Sequence, residues 1–228
     1  MSFHEILQQQ TLRDRATLIE APVIQRALAG DITRELYLAY LHEAYHHVRH
    51  TVPLLMAVGA RLPAHLGWLR REIVHYTEEE LGHDEWILAD IQHAGGDPIA
   101  AAATQPALAT DAMVGYAWDT ATRRNPVGFF GMVFVLEGTS VALALRAADC
   151  IQQTLHLPPS AMTYLRSHGE LDQQHIRHLA GILDRLDRTE DRDAVTTCAR
   201  TMFWLYGNVF RGLEAVAAPT ASPLRRSA

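Results

Sequence analysis

The stretch HGELDQQHIRH, residues 168–178, holds three histidines, two acids and two glutamines, and an apolar run, LAGILDRL, follows it. On an α-helix, steps of four and three bring His168, Asp172 and His175 within about 60° of one another, on one stripe. Imidazoles and a carboxylate sharing a face are a donor set for a metal ion, whereas a solvated stripe would carry Arg, Glu or Ser. The chain has 13 histidines, so a histidine-rich surface explains this segment alone equally well. Partners elsewhere must decide.

One candidate partner lies in EEELGHDEW. Glu80 and His83 are three residues apart, the carboxylate–imidazole spacing used in the cores of di-iron helical bundles. Glu79, one step back, is the fallback ligand, and an acidic, solvated turn is the competing explanation. His83 speaks against that, since it lies between apolar Leu81 and Trp86. The second candidate is Glu137, the single acid within PVGFFGMVFVLEGTSVALALRAA. A carboxylate buried there needs a cation or a proton. Gly131, Gly138 and Ser140 on the same stretch let neighbouring backbones approach.

Glu80, His83, Glu137, His168, Asp172 and His175 together make three imidazoles and three carboxylates, without a thiolate. That mixed N/O set suits iron, with manganese as the substitute, rather than structural zinc; six protein ligands suit two ions.

The elements that must position these residues read as helices throughout, with no useful strand-like alternation. The pattern predicts a first helix over 2–16 and a second from Pro22, closed by Gly30. A long third helix covers 32–62, kinked at Pro53, and a long fourth covers 63–97, closed by Gly95 and Gly96. Residues 97–107 read as a loop. Helices follow at about 108–123, 126–154, 159–187 and 190–217. The expected fold is an all-α, single-domain bundle of seven to eight helices over 1–218, with a disordered tail at 219–228.

Composition narrows the function classes. With 228 residues, 48% of them hydrophobic, the chain can bury one sizeable core. A formal charge of -6 and the lack of a basic run argue against nucleic acid. No uninterrupted apolar run reaches the roughly 18 residues of a membrane span, and MSFHEILQQQ lacks a secretory layout. The two cysteines, Cys150 and Cys198, read as buried small hydrophobes of a reduced chain. All 20 Lys+Arg residues are arginines, so lysine-based covalent or acid–base chemistry is closed to this protein.

The pieces ELGH (80–83), VLEG (with Glu137) and His-x3-Asp-x2-His (168–175), in this order, resemble the heme-oxygenase-like di-iron oxidases and oxygenases. Their superfamily includes thiaminase-like (TenA-type) and PqqC-like proteins. The resemblance spans nearly the whole helical region, including YLHEAYHHV, where relatives line the substrate cavity. It implies a heme-oxygenase-like fold, two Fe ions cycling between Fe(II) and Fe(III), and O2 as co-substrate. The substrate does not follow from it, because relatives oxidise fatty acids, amino acids and amines alike. Thiaminase-like relatives carry a nucleophilic cysteine near the position of Glu137, where this chain has none. PqqC-like relatives work without metal. Aminobenzoate-forming relatives sacrifice a lysine, which is absent, although Tyr164 stands one turn before His168 as a tyrosine does in them.

The expectation is an O2-dependent non-haem di-iron oxidoreductase acting on a small organic molecule held in the bundle. The alternatives are a metal-free thiaminase-like hydrolase and a non-catalytic ligand-binding protein. An external electron donor, a homodimer and a cytoplasmic setting complete it, with neither nucleic acid nor membrane as partner. Tyr40, Tyr45, His46, His47, Phe130 and Phe134 are the guesses for the cavity wall, and Arg211 for a substrate carboxylate.

Overall fold

Ser2 opens the first helix with a capping box: its hydroxyl accepts from Glu5 N while the Glu5 carboxylate accepts from Ser2 N. The computed structural model describes residues 1–217, with 170–174 described through their backbone alone. The expected tail, 219–228, lies outside the described residues. The helices are α1 (Phe3–Gln10), α2 (Leu12–Ile19), α3 (Pro22–Leu28), α4 (Arg34–Val48), α5 (Thr51–Arg61) and α6 (Gly67–Glu80). After them come α7 (His83–His93), α8 (Pro98–Ala103), α9 (Leu108–Thr122), α10 (Phe129–Leu155), α11 (Thr163–Asp184) and α12 (Thr189–Ala217). Among the described residues there is no strand, and the all-α expectation holds.

The helix count exceeds the expected seven or eight because the long predicted helices are broken. The first parts at Thr11, whose hydroxyl donates to Leu7 C=O (2.7 Å) and whose backbone leaves the helical region (φ -106°, ψ 7°). The third does not kink at Pro53. It ends at Val48, and Pro53 falls in the first turn of α5, where a missing N–H costs nothing. The break sits where the proline ring would meet the carbonyl of Arg49, four residues earlier. The fourth parts at Leu81 and Gly82, and Gly82 takes φ +86°. Residues 97–107 are not all loop, since Asp97 Oδ1 accepts from Ile99 N (2.9 Å) and Ala100 N (3.1 Å) to start α8.

α10 is the central element and packs chiefly against α11 and α12. Contrary to the sequence expectation, the stretch Pro126–Leu155 is long and apolar enough to cross a membrane, with a mean hydropathy of 1.8, yet 67% of that window is buried inside the bundle. Two apolar clusters divide the helix. Phe129, Phe130 and Val135 belong to one; Ala144, Ala148 and Ile151 belong to the other. Glu137 lies in the interval between them. A Cβ at Gly131 would overlap the Val195 carbonyl of α12, whereas Gly138 has nothing nearer than 4.0 Å and serves no close approach. A Cβ at Gly169 would stand 2.7 Å from Leu145 Cγ, so this glycine brings α11 against α10.

Two predictions follow from the backbone and from α4. Gly82 has open space around its Cβ direction, so Gly82→Ala should cost only the left-handed backbone energy, about 1–2 kcal/mol. Calorimetry should show the melting temperature falling by roughly 2–8 °C, with Gly82→Asn milder; an unchanged Gly82→Ala melting temperature would refute this. On α4 and in the turn after it, burial pushes His42, His46, His47 and His50 below the usual histidine range, His47 to about 3. Neutral in the fold, these rings take up protons in the unfolded chain, so stability is full above pH 6.5 and falls as pH drops below it. For fully buried His47 the slope is about 1.4 kcal/mol per pH unit. Urea unfolding at pH 7 and pH 5 should show this loss, reduced in His47→Gln; parallel curves for both proteins would exclude it.

Candidate metal centre

The break between α6 and α7 builds the first half of the site. Glu80 ends α6 and His83 begins α7, so the pair spans a turn rather than one continuous helix face. Leu81, taken as apolar cover from the sequence, is 62% exposed and points the turn outward. His83 itself is buried, its Nδ1 3.0 Å from Glu80 Oε2, and its ring stacks on Trp86 at 4.1 Å between centroids. Burial pushes the Glu80 carboxyl up. The His83 hydrogen bond and the nearby His83, His168 and His175 rings outweigh it, and the net shift is downward. The pocket therefore favours the charged carboxylate.

α11 supplies the second half, and α7 fixes where it begins. Fully buried Asp90 accepts from Thr163 N (3.0 Å) and Tyr164 N (2.8 Å), capping a helix whose own N-cap residue, Met162, makes no side-chain bond. Tyr37 donates its hydroxyl to Ala161 C=O (2.6 Å) on the same approach. Held this way, Tyr164 stacks obliquely on His168, 4.5 Å between ring centroids. His168 Nδ1 lies 3.1 Å from the Tyr164 carbonyl. A carbonyl only accepts, so Nδ1 carries the hydrogen, and in the neutral ring the lone pair belongs to Nε2. The His168 and His83 rings meet edge to face at 4.7 Å. Glu80, His83 and His168 each offer a ligand atom, and these atoms lie within 4.8 Å of one another.

Glu137 and His175 stand beside that triad. Glu137 is buried among apolar neighbours, and its Oε1 lies 3.7 Å from His175 Nδ1. The other nitrogen of His175, Nε2, faces Glu79 Oε2 at 3.3 Å. Glu79 thus reaches His175 from outside, while Glu80 joins the triad. The Asp172 side chain lies outside the described atoms.

Two chambers adjoin the cluster. The smaller, about 70 Å³, is bounded by Glu80, Glu137, His168 and His47 on its polar side and by Leu55, Phe129, Met132 and Leu136 elsewhere. The larger, about 100 Å³, is bounded by Ile24, Leu36, Tyr40, Ser140, Leu143 and Phe210 and, among the described residues, by no Asp, Glu or Arg. Tyr164, His168 and Tyr206 belong to both walls.

The guessed cavity wall is corrected in part. Tyr40 and His47 do line chambers, and His47 Nδ1 has no hydrogen-bond partner among the described residues. Tyr45 does not, and His46 instead meets Thr104 Oγ1 at 2.9 Å. Phe130 is fully buried in the core and Phe134 packs on Phe203; Phe129 takes the wall position. Arg211 is exposed and donates to Thr17 C=O (2.7 Å) and Asn208 Oδ1 (3.3 Å). Asp90 and Tyr206 are the positioning and wall residues that sequence reasoning missed, and Glu79, named from the sequence only as a fallback ligand, contacts His175. Asp90 carried a signal, an acid inside the apolar run WILADI.

No curated protein matches the sequence, but solved structures do. A domain of unknown function with a heme oxygenase-like fold from Shewanella denitrificans superposes with a TM-score of 0.83 at 25% identity, covering 94% of this chain and 93% of that one. A TenA homologue from P. horikoshii gives 0.79 at 12% identity, over 95% of this chain and 100% of its own. Heme oxygenase from Leptospira interrogans gives 0.75 at 15%, over 92% and 99%. At these identities the last two establish the shared heme-oxygenase-like fold alone. The sequence pattern of a family described as iron-containing redox enzymes matches residues 38–207, three quarters of the chain and every residue of the cluster above, and the protein belongs to that family.

Proposed function

We propose that the protein is a non-haem di-iron oxidase or oxygenase that uses O2 to oxidise a small organic substrate with an apolar body. The observation that carries this reading is the meeting of half-buried Glu80 and His168 with buried His83, with ligand atoms within 4.8 Å and the Glu137–His175 pair beside them. One ion would take the triad; the second would take Glu137, His175 and Asp172. The donor chemistry fits iron, and manganese would accept the same atoms. Iron bound there supplies the electron transfer to O2 that no side chain of this protein can supply.

The residues around it do the positioning. The Tyr164 carbonyl holds the His168 Nδ1 hydrogen, keeping the Nε2 lone pair available. Glu79 does the equivalent for His175 Nε2, which leaves Nδ1 toward Glu137. Neutral His47 can hydrogen-bond a polar group of the substrate without adding charge to the chamber. The apolar body then passes the shared wall of Tyr164, His168 and Tyr206 into the larger chamber, whose described wall carries no Asp, Glu or Arg.

A metal-free thiaminase-like hydrolase would need a nucleophile at this site. Cys198 is buried on α12 and burial pushes its thiol up to about 12. Cys150 donates to Leu28 C=O (3.4 Å). Neither lines the two chambers.

Anaerobic loading with Fe(II), followed by metal analysis, should give about two irons per chain, and an O2 pulse should then be consumed. Glu137→Ala should fall to about one iron or fewer; wild-type iron content in that variant would remove Glu137 from the centre. The thiols give a separate check. At pH 8 roughly one Cys198 in ten thousand is ionised, so native protein should resist thiol reagents at Cys198, and Cys150→Ser/Cys198→Ser should keep its O2 consumption. Complete loss in a folded double variant would revive the nucleophile.

A further inference from the structure

Outside the triad, a second set of carboxylates and imidazoles runs from the surface inward along α6 and α11. On α6, Glu72, His75 and Glu79 fall at steps of three and four, one stripe of the helix. On α11, His178 and His175 face them. Glu72 Oε2 is 3.0 Å from His178 Nε2, and Glu72 Oε1 is 3.4 Å from Arg185 at the outer edge. The His75 and His178 rings meet edge to face at 5.4 Å. Glu79 divides its two oxygens: Oε1 lies 3.4 Å from His75 Nε2 and Oε2 lies 3.3 Å from His175 Nε2. Side-chain exposure falls along the series, from 52% at His75 through 34% at Glu79 to 6% at His175.

Two features separate this series from an ordinary ion-pair lattice. His178 Nε2 is shielded from solvent and faces Glu72 Oε2 at 3.0 Å, yet among the described residues it is not aligned for a hydrogen bond. The spacings also match a metal's edge. Two ligands bound side by side to an ion at about 2.1 Å stand about 3 Å apart. Only pairs of donors meet here, in contrast to the triad of the centre. Two-point binding is weak, and weak binding is what a transit site requires, since an ion held too well would not move on.

We propose that Glu72, His75, Glu79 and His178 form an outer station at which a divalent cation sheds water and from which it passes inward to His175 and Glu137. The station rests on the di-iron reading of the centre. Glu72 and Glu79 draw the cation to this face, the imidazoles replace part of its water, and Glu79, touching both an outer and an inner histidine, is the hand-over group. His75 and His178 touch neither chamber, so they serve the route and not the reaction.

The test is stopped-flow uptake of Co(II) by the full-length apo-protein, read by its visible absorbance, followed by metal analysis of the product. His75→Gln/His178→Gln should take up Co(II) about tenfold more slowly than wild type, reach the same final content, and, once loaded with Fe(II), consume O2 normally. Glu72→Gln, which preserves shape, should slow uptake in the same direction. Wild-type uptake rates in folded variants would overturn the station, and so would a reduced final content, which would make these residues part of the centre. A wild-type chain that takes up no Co(II) or Fe(II) would overturn the centre itself, and the route with it.

Discussion

Carboxylates buried beside imidazoles are the constraint on which the rest of the fold depends. Glu137 sits in the interval between two apolar clusters on the central helix, and Glu80 is nearly as deep. Removing such groups from water is unfavourable by several kcal/mol each unless neighbours compensate. For Glu80 the compensation is visible: His83 and the rings of His168 and His175 outweigh burial and keep the carboxyl below its ordinary range. A site arranged to keep Glu80 charged in a poorly solvated chamber has an electrostatic need for cations. That need explains why four helices are made to converge at a place where apolar packing alone would be cheaper.

The convergence is produced by interruptions as much as by helices. The left-handed turn at Gly82 lets Glu80 and His83 aim at one point from the ends of two helices. Asp90, two turns beyond His83 on α7, reaches across to cap α11 and so fixes the height of Tyr164 and His168. Gly169 admits Leu145 against the α11 backbone, which brings the Glu137 and His175 sides of the centre together. Each device is local, and each sets a distance within the cluster.

This division between stripes and interruptions also explains what could be read from the sequence. Glu137 was legible because a single acid in an apolar helix has few physical excuses. His168 and His175 were legible from steps of seven along one helix, and the helical class from periodicity throughout. Glu80 and His83 were found on a partly wrong ground: their spacing was taken as one helix face, whereas a turn separates them. Propensity cannot show that Gly82 ends a helix in so polar a stretch, nor that Pro53 displaces its break to Arg49. The close approach that Gly169 permits to Leu145 has no local signature either. Glu79's hold on His175 and the cavity wall depend on how α6, α10 and α11 cross, and no local pattern encodes a crossing.

The two chambers divide the labour of the site in a way that follows from their walls. The smaller one gathers the charged and tautomer-fixed groups and leaves room for little beyond the reacting end of a substrate. Among the described residues the larger one offers no ionised acid or guanidinium, so this wall selects by size and by the absence of charge, and one extra methylene is worth only about 1–3 kcal/mol to such a pocket. Discrimination among chemically similar substrates must therefore come mainly from the polar end, where a buried donor or acceptor left without its partner is far more costly than an ill-fitting methylene. His47 is the one neutral hydrogen-bonding side chain of the smaller chamber whose ring nitrogen is without a partner among the described residues. Its burial keeps it uncharged across the physiological range, so it can test for a matching group on the substrate without disturbing the charge balance of the centre.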